Sequence, residues 1–239
     1  MQDAAAIESA RQRAGRVRLL AMDVDGTLTD GSLLIGADVE VAKPFSVRDG
    51  FGLTLLAKAG IELAIITGRH SAIVDRRAAE LGIRRVHQGV KDKLAALQQI
   101  CRQTGIGLEQ TSFVGDDWPD LPAMRACGLA AAPADAVEEI REVAHWVSTA
   151  RAGDGAVREL AMFILDAQGR RAELLAQYMN TPPEAPSAPP PTGGRLQRTG
   201  EAGSAAEMNT PPKRPASASP TGGTASGPAK PDPRRQLGE

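Results

Sequence analysis

The chain has 239 residues, enough for one substantial domain or two small ones. Its 28 Lys and Arg against 29 Asp and Glu leave a formal net charge of −1, which argues against a nucleic-acid or polyanion binder driven by bulk charge. No apolar run approaches the ~20 residues needed to cross a bilayer, and with aromatics at 3% the core has to be built from Ala, Val, Ile and Leu.

Residues 1–16 carry an early Asp and Glu and no long apolar stretch, so they read as an N-terminal extension rather than a signal or transit peptide. VRLLAMD (Val17 to Asp23) is a continuous apolar run, as in a strand buried on both faces. It ends in Asp23 and Asp25, with Gly26, Thr27 and then Asp30 close behind. SLLIGADVEVAKPFSV (Ser32 to Val47) reads as two strands around a Gly-Ala-Asp turn, a β-hairpin. In an open α/β sheet, a connection leaving the first strand lies at the carboxyl end, where ligands bind. GFGLTLLAKAG then reads as a helix and ELAIIT (Glu62 to Thr67) as a second strand. SAIVDRRAAELG, KDKLAALQQICRQTG and DAVEEIREVA are further helices, several stopped by glycine. RRVHQ, TSFVG and GLAAA are short strands between them, and HWVS is a weaker one. This alternation predicts an α/β fold, a Rossmann-like doubly wound parallel sheet, over 17–170.

Cys101 and Cys127 stand apart without metal spacing and read as reduced thiols of a cytoplasmic protein. Near Asn180 the composition shifts to Pro, Gly, Ala, Ser and Thr, with no aromatic residue beyond. MNTPPEAPSAPPPTGG (Met179 to Gly194) returns as MNTPPKRPASASPTGG (Met208 to Gly223). Neither copy has an apolar face to stack, so the repeat reads as a duplicated segment and not a solenoid. Residues 180–239 are expected to be a disordered tail, with a proline-rich ligand for a partner domain as the alternative.

The paired aspartates are the feature that needs chemistry. A calcium loop counted from Asp23 fails at Thr27, Leu28 and Leu34, its fifth, sixth and twelfth positions. An Asp-Gly turn alone would end a strand. Ionised carboxylates this close repel one another, however, and call for a cation or a positive residue. The other strand ends supply the parts. ITGRH brings Thr67 and Arg69, QGVKDK brings Lys91 and Lys93, and VGDDWPD brings Asp116, Asp117 and Asp120. Alternation puts all of them on one edge of the sheet. Carboxylates for Mg²⁺, with a hydroxyl, a lysine and backbone amides for a phosphoryl group, fit phosphoryl chemistry. Mg²⁺ takes one or two carboxylates plus substrate oxygens and waters.

DVDGT, a strand ending in Thr, then Lys, then GDD, in that order, resemble the haloacid dehalogenase superfamily of phosphohydrolases over roughly residues 17–128. KPFSVRDGFG, AIITGRHSAIVDRRAAELGI, HQGVKDK, VGDDWPDLP and GDGAVREL widen the likeness to about 16–170. They resemble one branch, the 3-deoxy-D-manno-octulosonate 8-phosphate phosphatases. The resemblance implies a β-hairpin in place of a cap domain and a homotetramer whose neighbouring subunits help close each site. It implies a small sugar phosphate as substrate, with neither nucleic acid nor membrane as partner, and a place in lipopolysaccharide core-sugar synthesis. By resemblance Asp23 is the nucleophile and Asp25 the general acid and base. The same likeness assigns Mg²⁺ to the Asp23 carboxylate, the Asp25 carbonyl and the Asp116 carboxylate.

Thr67 and Lys93 are matched to the phosphoryl oxygens, and the QG-x-x-x-K spacing selects Lys93 over Lys91. Asp25, the segment Ser46, Val47, Arg48, Asp49 and Gly50, and the positions Arg69 and Arg77 are matched to the substrate. Arginine forks suit its carboxylate and phosphate; for Arg48 and Arg77 the alternative is a surface or interface ion pair. Arg158 and Glu159 either reach toward a neighbouring site or open the last helix. Asp30 is left to launch the hairpin, and His70, His87 and His145 are given no catalytic role. Two positions depart from the branch, Thr27 in place of Val and Arg151-Ala152 in place of a glycine pair, and both are expected to lie outside the chemistry. The rival functions are a phosphatase for a nonulosonate 9-phosphate and a non-catalytic assembly module.

Overall fold

Strand β1, Leu19–Met22, is hydrogen-bonded on both sides, to β4 (Glu62–Ile66) and to β6 (Thr111–Val114). With β5 (Arg85–His87), β7 (Leu129–Ala132) and β8 (Trp146–Val147) it makes a six-stranded parallel sheet in the order β5-β4-β1-β6-β7-β8. The chain therefore walks outward from β1 in one direction, returns, and walks out in the other. The carboxyl ends of β1 and β6 flank the point of reversal, where open α/β sheets bind ligands. In this computed structural model residues 3–180 are described, apart from Asp38. They belong to the first of two units, Met1–Glu184. The expected disordered tail and its repeat lie outside the described residues, except for the first copy's opening Met179 and Asn180.

The apolar run of β1 works on both faces because its side chains alternate. Leu20 and Met22 join one core with Leu53 and Leu56 of α2 (Val47–Lys58) and Val157, Leu160 and Ile164 of α7 (Ala156–Ala167). Leu19 and Ala21 join the other with Leu97 and Ile100 of α4 (Lys93–Thr104) and Met124 of α5 (Leu121–Ala126). Burying one such leucine contributes about 1.5–3 kcal/mol. Helix α4 starts where the Asp92 carboxylate accepts the Ala95 N–H at 2.9 Å and stops at Gly105, φ +66°.

Helices α2 and α4, with α3 (Ala72–Glu80) and α6 (Glu138–Val143), lie where the periodicity predicts them. Three helices went unforeseen. Helix α1 (Ala4–Ala14) buries only Ala10 and Ala14, so its apolar stripe is too thin to read; it brings the N-terminal extension onto the first core. Helix α5 is six residues long and follows a short 3-10 turn, and α8 (Arg171–Asn180) buries only Leu174.

Asp49, matched by resemblance to the substrate, has another task within this chain. It is fully buried, and its carboxylate accepts the Arg158 N–H at 2.7 Å and the Gly155 N–H at 3.2 Å. Those are unpaired amides at the start of α7, so α2 caps α7. Burial pushes the Asp49 carboxyl up despite those bonds. Asp49→Ala is expected to destabilise the protein by about 2–3 kcal/mol in urea or thermal unfolding. A loss under about 0.5 kcal/mol would mean that the cap contributes nothing.

The hairpin is present as β2 (Leu34–Ile35) antiparallel to β3 (Glu40–Ala42), outside the main sheet. Leu34, Ile35, Val39 and Val41 stand exposed on it.

Candidate active site

The carboxyl ends of β1, β4, β5 and β6 open into a cleft of about 440 Å³. Asp23, Asp25, Thr67, Arg69, Lys93 and Asp116 line it, with Lys91, Asp117 and Asp120. Six of the sequence-matched site residues thus meet in one place. Asp23 is still in register with the sheet, its N–H donating to Val114 O at 3.1 Å. A tight turn follows, in which the N–H groups of Thr27, Leu28 and Thr29 all converge on Val24 O. Gly26 has φ +86°, and a β-carbon there would sit 2.1 Å from Asp116 Oδ2, so only glycine lets the two loops approach.

Lys93, the first residue of α4, is buried with its Nζ 3.0 Å from Asp23 Oδ2 and 2.6 Å from Asp120 Oδ1. Asp120 Oδ2 accepts the N–H groups of Asp116 (3.0 Å) and Asp117 (3.3 Å). Asp120 is thus a brace that fixes both Lys93 and the loop carrying Asp116. The sequence showed it at the strand end without a role; the acid four positions after Asp116, in a GDDWPD run, was the available signal. Thr27 is a second correction. Its hydroxyl donates to Asp116 Oδ1 at 2.8 Å, so this departure from the branch touches the site after all.

Three carboxylates here share one lysine. Single oxygens of Asp23, Asp116 and Asp120 lie within 4.8 Å of one another, and Asp23 Oδ1 is buried without a hydrogen-bond partner. Burial, and then the Asp120 charge, push the Asp23 carboxyl up to about 6 despite Lys93. Burial, with the charges of Asp23 and Asp120, pushes Asp116 up to about 7 although Thr27 opposes it. Burial works against the Lys93 ammonium, but Asp23 and Asp120 outweigh it and hold it above the ordinary lysine value. This is an excess of negative charge around a buried oxygen that lacks a hydrogen-bond partner, which a divalent cation would balance. Asp120 already spends both oxygens on Lys93 and the loop amides, so Asp23 and Asp116 are the free donors.

Asp25 keeps different company. Its Oδ1 contacts the buried ammonium of Lys43, from the hairpin, and its Oδ2 lies 3.7 Å from Arg69 Nε. The two aspartates are therefore separated electrostatically, one against Lys93 and the other against Lys43 and Arg69.

The remaining matched positions do not line this cleft. Ser46 is the N-cap of α2, and its Oγ accepts the Asp49 N–H. Val47 and Arg48 are exposed on the first turn of α2. Gly50 makes room for Arg77, whose Nη2 would lie 2.3 Å from a β-carbon there. Arg77 reaches Ser46 O at 3.4 Å and Glu80 at 3.3 Å, and faces the Phe45 ring. Glu159 accepts Ser148 Oγ and the Thr149 N–H and hydroxyl, tying the loop after β8 to α7. Arg158 lies over Phe51 at 4.9 Å.

A sheet reversing at β1, with paired acids after that strand and a lysine-braced third acid after β6, defines a class of hydrolase. A family model described as haloacid dehalogenase-like hydrolase matches residues 32–128. The 3-deoxy-D-manno-octulosonate 8-phosphate phosphatase KdsC of Haemophilus influenzae is 41% identical over 160 residues, 67% of this chain and 89% of that one. The enzyme of the same name from Escherichia coli K12 is 41% identical over 165 residues, 69% of this chain and 88% of that one. The crystal structure of the Moraxella catarrhalis phosphatase of that name, in complex with magnesium ion, phosphate ion and KDO, superposes with a TM-score of 0.70. It is 43% identical and covers 72% of this chain and 98% of that one. The chain belongs to the 3-deoxy-D-manno-octulosonate 8-phosphate phosphatase family of haloacid dehalogenase-like hydrolases.

Proposed function

We propose that the chain hydrolyses 3-deoxy-D-manno-octulosonate 8-phosphate to 3-deoxy-D-manno-octulosonate and phosphate, with Mg²⁺, as a step in making the lipopolysaccharide core sugar. The observation that carries this is the split between the two aspartates. Asp23 holds one oxygen on Lys93 and keeps the other buried without a hydrogen-bond partner, while Asp25 stands two residues on with separate cationic partners.

A carboxylate oxygen of Asp23 attacks phosphorus, and the bond to the sugar oxygen breaks. Asp25 gives its proton to the departing alkoxide. It then takes a proton from the water that attacks the aspartyl-phosphate, and the bond from phosphorus to Asp23 breaks. Lys93 and the Thr67 hydroxyl hold the transferring oxygens, so little charge has to be reorganised during the reaction. Arg69 stands half-exposed at the rim, placed to meet the substrate carboxylate. The Asp23 and Asp116 carboxylates and the Asp25 main-chain carbonyl would hold Mg²⁺, which neutralises charge on the phosphoryl group.

A homotetramer in the cytoplasm completes the proposal, with residues 17–170 as its catalytic domain. The exposed apolar hairpin supports that assembly, as does the position of Ser46, Val47 and Arg48 outside their own chain's cleft, where a neighbouring site could use them. Phosphate release from the eight-carbon acid phosphate tests the function. It is expected with Mg²⁺, to vanish with a chelator and to return on adding Mg²⁺ back. No release in any of these conditions would overturn the reading.

A pH dependence follows from the crowded carboxylates. Asp23 at about 6 and Asp116 at about 7 both lie above the ordinary 3.8. The folded protein therefore keeps protons that the unfolded chain has released, and the metal-free stability falls as pH rises from about 4 to 7. A bound cation competes with those protons. Saturating Mg²⁺ is expected to raise the melting temperature by several degrees at pH 8 and by little at pH 5. Equal shifts at both pH values would contradict Asp23 and Asp116 as ligands.

A further inference from the structure

Lys43 has so far appeared only as a charge beside Asp25, yet its ammonium is among the most buried charges of the described residues, with its side chain 1% exposed. Lysine is seldom buried without a partner, and this one has two. Its Nζ contacts Asp25 Oδ1 and lies 3.0 Å from Glu40 Oε1. Glu40 in turn accepts the Ser71 hydroxyl, which ties the hairpin to the start of α3. Pro44 follows directly, which disfavours a helical backbone at Lys43. The lysine is thus a braced arm from the hairpin and not a free surface side chain.

We propose that Lys43 is a positioning residue for the reaction: the hairpin uses its buried ammonium to hold the Asp25 carboxylate in the orientation from which it exchanges a proton with the substrate. A carboxylate turns easily about its last torsion, so a fixed partner is needed to aim it. Arg69 is the weaker candidate for that task. It is half-exposed, 3.7 Å away, and placed to turn toward an acidic substrate. Lys43 is sealed from solvent, and its second partner, Glu40, is itself held in place by the Ser71 hydroxyl. The hairpin then does more than occupy the place of a cap, because it supplies part of the geometry of proton transfer. The inference rests on the proposed role of Asp25.

The test compares two leaving groups. The sugar alkoxide needs a proton to depart, whereas nitrophenolate leaves p-nitrophenyl phosphate without one. In Lys43→Met, kcat/KM for the sugar phosphate should fall by ~10–100-fold, part of what a positioned acid supplies, and by less than ~3-fold for p-nitrophenyl phosphate. A second arm places Lys43→Met in an Asp25→Asn background. A lysine that acts through Asp25 should cause no further loss there, whereas damage to the fold or to substrate binding would add to it. Equal losses on the two substrates, or additive losses in the double variant, would overturn the proposal. Wild-type protein inactive on the sugar phosphate would instead remove the functional reading on which it rests.

Discussion

Replacing Asp23 by Asn should lower kcat by at least ~10³-fold while leaving the protein folded. The amide keeps the shape of the side chain and its place at the end of β1, but it cannot attack phosphorus. The stability outcome is as informative as the kinetic one. Asp23 is buried, its carboxyl is pushed up to about 6, and one oxygen has no partner. Ionising it at neutral pH therefore works against folding, and neutral asparagine removes that penalty. Lys93 still has Asp120 at 2.6 Å. The metal-free melting temperature at pH 8 should accordingly be no lower than that of the wild type, and the stabilisation by Mg²⁺ should shrink. Steady-state phosphate release and thermal unfolding check both parts. Turnover within tenfold of the wild type would remove Asp23 as the nucleophile.

Lys93→Met should damage stability and chemistry together. Lys93 is the one cation within reach of Asp23 and Asp120 among the described residues, at 3.0 and 2.6 Å. Removing one member of a buried ion cluster leaves the others uncompensated, typically a loss of about 3–5 kcal/mol. The loss should depend on pH. At pH 5 Asp23 and Asp116, at about 6 and 7, are largely protonated and tolerate the missing lysine. At pH 8 they are ionised, so the variant should be markedly weaker there. Without the ammonium on the transferring phosphoryl group, kcat should also fall by at least ~10³-fold. Urea unfolding at the two pH values is the check, and a small loss that does not change with pH would contradict the account.

Much of this was legible because the fold is built from strong local signals. VRLLAMD is apolar on both faces because β1 is central, and the chain punctuates its parallel strands with helices of ordinary length. The reversal of strand order at β1 then gathers the ends of β1, β4, β5 and β6, so residues far apart in sequence could be assigned to one edge. What the sequence hid depends on side-chain direction. Asp49 sits in the same SVRDG stretch as Val47 and Arg48, but helical geometry turns it inward, onto the first amides of α7. Asp120 and Asp117 look alike in GDDWPD, yet one is fully buried against Lys93 and the other is exposed. Lys43 reads as one more hairpin lysine until the hairpin folds back over Asp25. Helices α1 and α8 bury too little for a periodic stripe to show.

The most direct test is to measure kcat/KM for 3-deoxy-D-manno-octulosonate 8-phosphate and for glucose 6-phosphate side by side in saturating Mg²⁺. Both present a primary phosphate, and only the first carries the carboxylate proposed to meet Arg69. A preference of at least ~100-fold for the eight-carbon acid is expected, the scale seen when a charged partner is left unpaired by the wrong substrate. Equal values, or a preference for the neutral hexose phosphate, would contradict it.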